Sequence, residues 1–167
     1  MGTEDGVTFV GEDAAQLRSV LSRINKGLRA TSAGAGLTPS ALDCLGTVAR
    51  RGPVRLSDLA ALDGLNPTML SRIAGKLEDA RLVARRPRAD DGRSFSLEVT
   101  AEGQRLHDEV IAERVGTLLA ALGELDATSR AAIVSALPAL ERLAELLRGT
   151  RSDAGARATH DLGAATR

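Results

Sequence analysis

The sequence is poor in aromatic residues. Phe9 and Phe95 are present without any tryptophan or tyrosine, so aromatics make up 1% of the 167 residues. A hydrophobic core must then be built from leucine, valine, isoleucine and alanine, which pack well between closely spaced helices. The composition therefore favours a mainly α-helical fold over a β-sandwich.

The features of secreted and membrane proteins are also missing. Cys44 is the single cysteine, which excludes an internal disulfide and a cysteine-based zinc cluster. No run approaches the ~20 apolar residues of a membrane span, and the first residues lack the basic start and apolar stretch of a secretory signal. We therefore expect a cytoplasmic protein without a membrane partner.

Neither sign of charge is in excess. The 22 basic and 22 acidic residues give a formal net charge of +0, which excludes general attraction to a polyanion, so nucleic-acid binding must rest on local clustering. Residues 72–93 form such a cluster, with seven basic residues against four acidic ones. A charge run by itself more often marks a solvated turn than a binding site, so its position in the fold decides its meaning.

Near the amino terminus, apolar spacing predicts one amphipathic helix. Residues 1–12 are polar and are expected to form a flexible arm. The segment 13–36 then carries apolar residues at intervals of three and four, which is the period of one helix face. These residues are Leu17, Val20, Leu21, Ile24 and Leu28.

Residues 101–148 predict two long helices near the carboxyl terminus. One extends to about Leu122, and the other spans about Ala127–Leu147 with a kink expected at Pro138. The tail at 149–167 is expected to be flexible. A compact domain formed by residues 37–100 does not need these helices or the one at 13–36, so their apolar stripes favour pairing with a second copy of the chain. The residues predicted to dimerise are Leu17, Leu21, Ile24, Leu137, Leu140 and Leu147.

Three short helices are predicted in the middle of the chain. Thr38 and Asn66 are good capping residues, and each is followed by a proline, which is tolerated at the first position of a helix. Ser57 is expected to cap a shorter helix that ends at Asp63. The helix that follows Asn66 is expected to end near Ala80.

Two short strands follow these helices. Leu82–Val83 and the alternating segment Ser94–Thr100 flank the polar loop RPRADDGR. The predicted fold is mainly α with a small two- or three-stranded β-wing. It is a winged helix–turn–helix over 37–100, and the terminal helices form a dimerisation layer.

The helix that follows Asn66 has two different faces at 100° per residue. Its predicted inward face consists of Met69, Leu70, Ile73, Ala74, Leu77 and Ala80. Its predicted outward face consists of Thr68, Ser71, Arg72, Gly75 and Lys76. Hydroxyl and basic groups on an exposed helix suit base edges and phosphates in a major groove.

The most specific motifs between residue 37 and about residue 106 are the runs SRIAGKLEDARLVARR and DDGRSFSLEVTAEG. With these motifs the segment resembles the multiple-antibiotic-resistance regulator (MarR) family of bacterial winged-helix repressors. The second run contains the family's Asp-x-Arg pattern, then a strand, then a threonine that opens a helix with a glycine three residues later. The matching positions are Asp91, Gly92, Arg93, Thr100 and Gly103.

The resemblance implies a transcriptional regulator, a repressor by expectation, that binds pseudo-palindromic double-stranded DNA as a homodimer at the nucleoid. A small ligand is expected to release it. Arg93 is expected to enter the minor groove with Asp91 bracing it. The residues predicted to bind DNA are Ser57, Pro67, Thr68, Ser71, Arg72, Lys76, Arg86, Arg88, Asp91 and Arg93.

Two positions depart from the family pattern. Glu98 lies in the second wing strand where many relatives have a basic or neutral residue, which is expected to lower the affinity of the wing slightly. Ala41 and Leu42 stand where relatives commonly have aromatic residues. This second departure argues against an aromatic-acid ligand site of the usual kind.

Other functions have weaker support in the sequence. Cys44 lies between apolar residues, so a buried structural cysteine is favoured over an oxidation sensor. His107 has no second histidine or cysteine at ligand spacing, so no metal or other cofactor is expected. No catalytic grouping of side chains is evident, so we do not expect an enzyme. The alternative function is a winged helix that binds an acidic protein instead of DNA.

Overall fold

A computed structural model describes residues 10–31, 36–87 and 95–164. Its elements are α1 (Gly11–Thr31), α2 (Pro39–Arg51), β1 (Val54–Arg55), α3 (Leu56–Asp63), α4 (Pro67–Asp79), β2 (Val83–Pro87), β3 (Phe95–Val99), α5 (Ala101–Gly123) and α6 (Ala127–Ala164). The chain divides into two compact units between Leu118 and Leu119. The expected fold class is confirmed. None of the described helices is long and apolar enough to cross a membrane.

The capping residues place two helix starts where the sequence predicts them. Thr38 Oγ1 accepts a hydrogen bond from the backbone N–H of Ala41 at 3.3 Å, and Pro39 is the first residue of α2. Asn66 Oδ1 accepts from the N–H of Thr68 at 2.8 Å at the start of α4. These bonds satisfy N–H groups that the first turn of a helix leaves unpaired.

The prediction that Ser57 caps the short helix is wrong. α3 begins at Leu56, and Arg55 occupies the capping position without a side-chain capping bond. Pairing of β1 with β3 holds the backbone extended up to Arg55, so the helix begins at the next residue. Ser57 is an exposed residue of the first turn, and its hydroxyl donates to Asp58 Oδ1 at 3.3 Å.

The sheet has three antiparallel strands in the order β1-β3-β2. β2 runs from Val83 to Pro87 and pairs along its whole length with β3, whereas the sequence predicted a strand at Leu82–Val83. Arg85 and Arg86 hide the alternation of apolar and polar residues that marks a strand. β1 has two residues, which is too short for any alternation to be visible.

The core of the first unit lies where α2, α3 and α4 meet the sheet. Its most deeply buried large side chains are Leu45, Val48, Leu59, Leu70, Leu77 and Leu97. Phe95, the one aromatic residue in the part of the chain that the structure describes, packs only partly buried against this cluster. The prediction of an aliphatic core is confirmed.

α5 begins in close contact with the residues that precede β2. Thr100 Oγ1 donates to the carbonyl oxygen of Arg81 at 2.7 Å and accepts from the N–H of Gly103 at 3.0 Å. A Cβ atom on Gly103 would lie 2.0 Å from the carbonyl oxygen of Leu82. This contact is the physical reason for a threonine followed three residues later by a glycine.

α1 and α6 differ from prediction at their ends. α1 begins at Gly11, so only the first nine residues of the expected arm lie outside the described residues. α6 continues to Ala164, so it includes most of the segment 149–167, for which the sequence predicts a flexible tail. The many alanines and arginines of this segment favour a helix, and each glycine opposes it by only about 1 kcal/mol.

Candidate functional site

α4 presents a polar face to solvent, as predicted. Thr68, Ser71, Arg72 and Lys76 are exposed, and Leu70, Ile73, Ala74 and Leu77 on the opposite face are buried. Among the described residues, neither Arg72 nor Lys76 has an ion-pair partner. Their charges are therefore not compensated by a neighbouring carboxylate.

Two residues assigned to the inward face of α4 are exposed instead. Met69 is 46% exposed, and Ala80 is exposed just after the last turn. Met69 lies about 90° around the helix from the centre of the buried face, so its side chain is at the edge of that face and remains in contact with solvent. The prediction that these two residues face inward is wrong.

The first turn of α4 is fixed by Asn66 and Pro67. Asn66 takes up the N–H of Thr68, so Thr68 offers its hydroxyl rather than its backbone N–H to a ligand. Pro67 is exposed at the first position of the helix. The helix dipole places partial positive charge at this end, which favours a phosphate.

Arg85 joins the base of the wing to α4. Its Nε donates to Glu78 Oε2 at 2.8 Å, and its guanidinium carbon lies 4.2 Å from the centre of the Phe95 ring. Both contacts are partly exposed, so each contributes modestly to stability. Together they set the direction of β2 relative to α4. Helix and strand periodicity do not predict these contacts, because each one joins two different elements.

Arg86 lies on the opposite face of the wing from Arg85. It is paired with Glu98 on the neighbouring strand, while most of its side chain stays exposed to solvent. Register explains the pair, because Arg86 is opposite Ser96 and the diagonal position on the same face is Glu98. Glu98, which departs from the family pattern, thus forms an ion pair with Arg86, a predicted DNA-binding residue.

The structure brings part of the predicted site together. The four exposed residues of α4 share one surface. The side chain of Ser57 is exposed on α3, the helix before it. Arg88, Asp91 and Arg93 lie outside the described residues, so their predicted roles stay predictions.

Cys44 is fully buried in α2. Burial raises the pKa of its thiol well above the ordinary value, and a hydrogen bond with Asp63 adds to the effect. Thr47 Oγ1 donates to Asp63 Oδ1 at 2.8 Å, which ties α2 to α3. A thiol held in the protonated form away from solvent reacts slowly with oxidants.

His107 of α5 lies against α2. A Cβ on Gly46 would be 3.2 Å from His107 Cε1, so the two helices approach closely at this glycine. Burial, and then the charge of Arg50, lower the pKa of His107. Within the described ranges, no three side chains of the metal-binding types are grouped together.

Arg29 and Asp43 form an ion pair that the sequence did not predict. Arg29 Nη2 lies 2.5 Å from Asp43 Oδ2, which connects the end of α1 to α2. Both side chains are about one-third exposed, so solvent weakens the pair. The pair therefore contributes modestly to the contact between α1 and α2.

Known proteins resemble this chain in sequence and in fold. The sequence model of the MarR family matches residues 37–95. The chain is 28% identical over 98 residues to the HTH-type transcriptional repressor MdtR of Bacillus subtilis, and this match covers 59% of the chain and 63% of that protein's length. A transcriptional regulator from Pseudomonas aeruginosa is 31% identical with a TM-score of 0.68, covering 79% of this chain and 92% of that one.

A structure with a bound ligand shares the fold. NadR in complex with 4-hydroxyphenylacetate superposes with a TM-score of 0.57 at 24% identity. This match covers 84% of the chain described here and 97% of the NadR chain. At this identity the likeness is one of fold.

Proposed function

The chain belongs to the MarR family of transcriptional regulators, and we propose that it binds pseudo-palindromic operator DNA as a homodimer, represses transcription and is released by a small ligand. Its relatives are regulators, so the chain is not an enzyme. One observation carries the DNA-binding proposal. α4 buries one face completely and exposes hydroxyl groups and uncompensated positive charge on the other.

In the proposed complex, α4 lies in the major groove. Arg72 donates two parallel hydrogen bonds to a guanine, while Thr68 and Ser71 contact base edges or phosphates. The positive end of the helix dipole faces a phosphate near Pro67. By resemblance to the family, Arg93 of the wing enters the neighbouring minor groove, where negative potential is concentrated.

Exposed apolar side chains on the outer helices support the homodimer. Leu21 and Ile24 on α1 and Leu137 on α6 are between 45% and 48% exposed. Ile111 and Val115 on α5 are also exposed. Exposed large apolar side chains favour association, and a second copy of the chain offers the same helix faces across a two-fold axis.

The regulatory outcome rests on relatives. MdtR is a repressor, which supports repression by this protein, acting in the cytoplasm at the nucleoid. NadR has been crystallised with a small aromatic acid, which supports release by a small ligand. Ala41 and Leu42 are buried in α2 where aromatic residues are common in the family, so the ligand need not be an aromatic acid.

The proposal is tested by selecting bound duplexes from a random pool and measuring their affinity for the full chain. Arg72→Ala is expected to weaken binding by roughly 1–3 kcal/mol per half-site and to relax the preference at one base pair in each. Arg93→Ala is expected to weaken many sequences alike. It also flattens the slope of log K against log salt by up to about 0.9 per half-site.

Fluorescence anisotropy across several salt concentrations, with excess non-specific competitor, gives both quantities. Glu113→Ala on α5 is the control, because Glu113 is an exposed acidic residue outside the predicted DNA-binding set. If Arg72→Ala keeps the base preferences and Arg93→Ala changes nothing, this surface does not recognise DNA. The function would then be that of a winged helix that binds an acidic protein.

A further inference from the structure

Met69 is an exposed apolar side chain among the polar and basic residues of α4. Among the described residues of the winged helix, it is the one large hydrophobic side chain that is exposed. The helix has a complete buried face without it, formed by Leu70, Ile73 and Leu77. Core packing therefore does not account for a methionine at this position.

The neighbours of Met69 indicate what covers it. Met69 is the third residue of α4, one turn before Arg72 and two turns before Lys76. A second copy of the chain is a poor partner for this patch, because it would bring four like charges together. A polyanion is a good partner, since the same basic side chains that repel a copy attract phosphates.

Duplex DNA offers one apolar group on its base edges in the major groove, the 5-methyl group of thymine. The methionine side chain is flexible and polarisable, so it adapts to a small apolar partner. We propose that Met69 contacts the 5-methyl group of one thymine in each half-site and so selects thymine at that base pair. This inference rests on the proposed function, because it requires α4 to lie in the major groove.

The test removes the methyl group from the DNA and the side chain from the protein. A duplex selected by the full chain is remade with deoxyuridine at one thymine at a time, in both half-sites together. Deoxyuridine pairs as thymine does but lacks the methyl group. For one symmetric pair of positions, the wild-type Kd is expected to rise about fourfold per half-site, or about fifteenfold in all, as for loss of one buried methyl group per contact.

Variants separate this contact from effects of deoxyuridine on the duplex. Met69→Ala is expected to bind the thymine and deoxyuridine duplexes with Kd values within about twofold of each other, while Met69→Leu keeps part of the preference. Lys76→Ala is the matched control on the same side of the helix. It is expected to bind more weakly and to keep the wild-type ratio between the two duplexes.

Each outcome of this experiment decides the question. A deoxyuridine effect that is lost in Met69→Ala and kept in Lys76→Ala supports the contact. A deoxyuridine effect equal in wild type and Met69→Ala at every thymine overturns it, while binding of the selected duplex still upholds DNA recognition. Failure to select any duplex overturns the contact together with the proposed function.

Discussion

Arg85 and Arg86 are adjacent in β2, but successive side chains of a strand point to opposite faces. Arg85 is directed to α4 and contacts Glu78 and Phe95. Arg86 is on the other face and pairs with Glu98. The first arginine therefore connects the wing to α4. The second remains near solvent with a carboxylate partner, and under the proposed function this partner would compete with DNA phosphates for it.

Replacement of Glu98 by glutamine is expected to tighten DNA binding. The change frees Arg86 from its carboxylate and removes one negative charge from the wing, so affinity is expected to rise about two- to fivefold per half-site, the scale of an exposed ion pair. The slope of log K against log salt should also become steeper. Anisotropy titrations at several salt concentrations measure both effects.

Glu109→Gln is the matched control for this change. Glu109 also pairs with an arginine, Arg105, but it lies on α5 within the same unit. The control removes the same charge from a different surface and is expected to have a smaller effect on affinity. Equal effects of Glu98→Gln and Glu109→Gln would contradict a specific role of the Arg86 pair.

His107 makes stability depend on pH in a definite direction. Its pKa is lowered in the folded protein by burial and by Arg50, so the unfolded chain binds a proton more readily than the folded one. The contribution of His107 is complete above the ordinary value of about 6.5 and is lost as pH falls below it towards the folded pKa. His107→Gln is expected to reduce the fall in the urea midpoint between about pH 7.5 and pH 5.5. An equal fall in wild type and variant would show that other groups control it.

At the scale of elements, the start of α5 packs closely against the backbone that leads into β2. Gly103 lies against the backbone carbonyl of Leu82, which cannot move away without disturbing the start of β2. The hydroxyl of Thr100 forms hydrogen bonds both with Arg81, just before β2, and with Gly103 in α5. The wing and the long helix are thus held to each other by backbone geometry and not only by side-chain packing.

Substitution of Gly103 by alanine is expected to destabilise the protein by about 3 kcal/mol or more, because the new methyl group forces backbone atoms apart. Gly75→Ala in α4 is the control, since nothing lies within 4 Å of its Cβ position. There alanine should stabilise the helix by about 0.5–1 kcal/mol. Urea unfolding of the two variants measures the contrast, and a Gly103→Ala variant as stable as wild type would refute the close contact.

At the scale of the whole molecule, the proposed homodimer predicts the mass of the protein in solution. The full chain is expected to sediment at about twice its 17.4 kDa mass at micromolar concentration. Leu137→Glu is expected to shift it towards monomer, because a carboxylate would be buried in an apolar interface. Sedimentation equilibrium measures both masses.

The control for this variant is Ser135→Glu, which introduces the same charge at an exposed position of α6 about 200° around the helix. It is expected to leave the mass of the dimer unchanged. A monodisperse monomer of the full wild-type chain would contradict the homodimer. Equal dissociation by both variants would place the interface elsewhere.

Local features determined much of this protein from the sequence alone. Capping residues followed by proline fixed the starts of α2 and α4, because those signals act within four residues. Helical spacing identified Leu70, Ile73 and Leu77 as the buried face of α4. It also identified its exposed hydroxyl and basic residues, since the period of 3.6 residues applies whatever the partner is.

Other features were decided only by contacts between distant segments. β1 exists because β3 pairs with it, and that pairing moved the start of α3 from the residue after Ser57 to Leu56. Met69 is apolar, but it lies at the edge of the face that packs on the core, so the position of the core relative to α4 leaves it exposed. The ion pair of Arg86 with Glu98 depends on strand register. Neighbours along the chain cannot encode such a contact, because the two residues meet only after the sheet has formed.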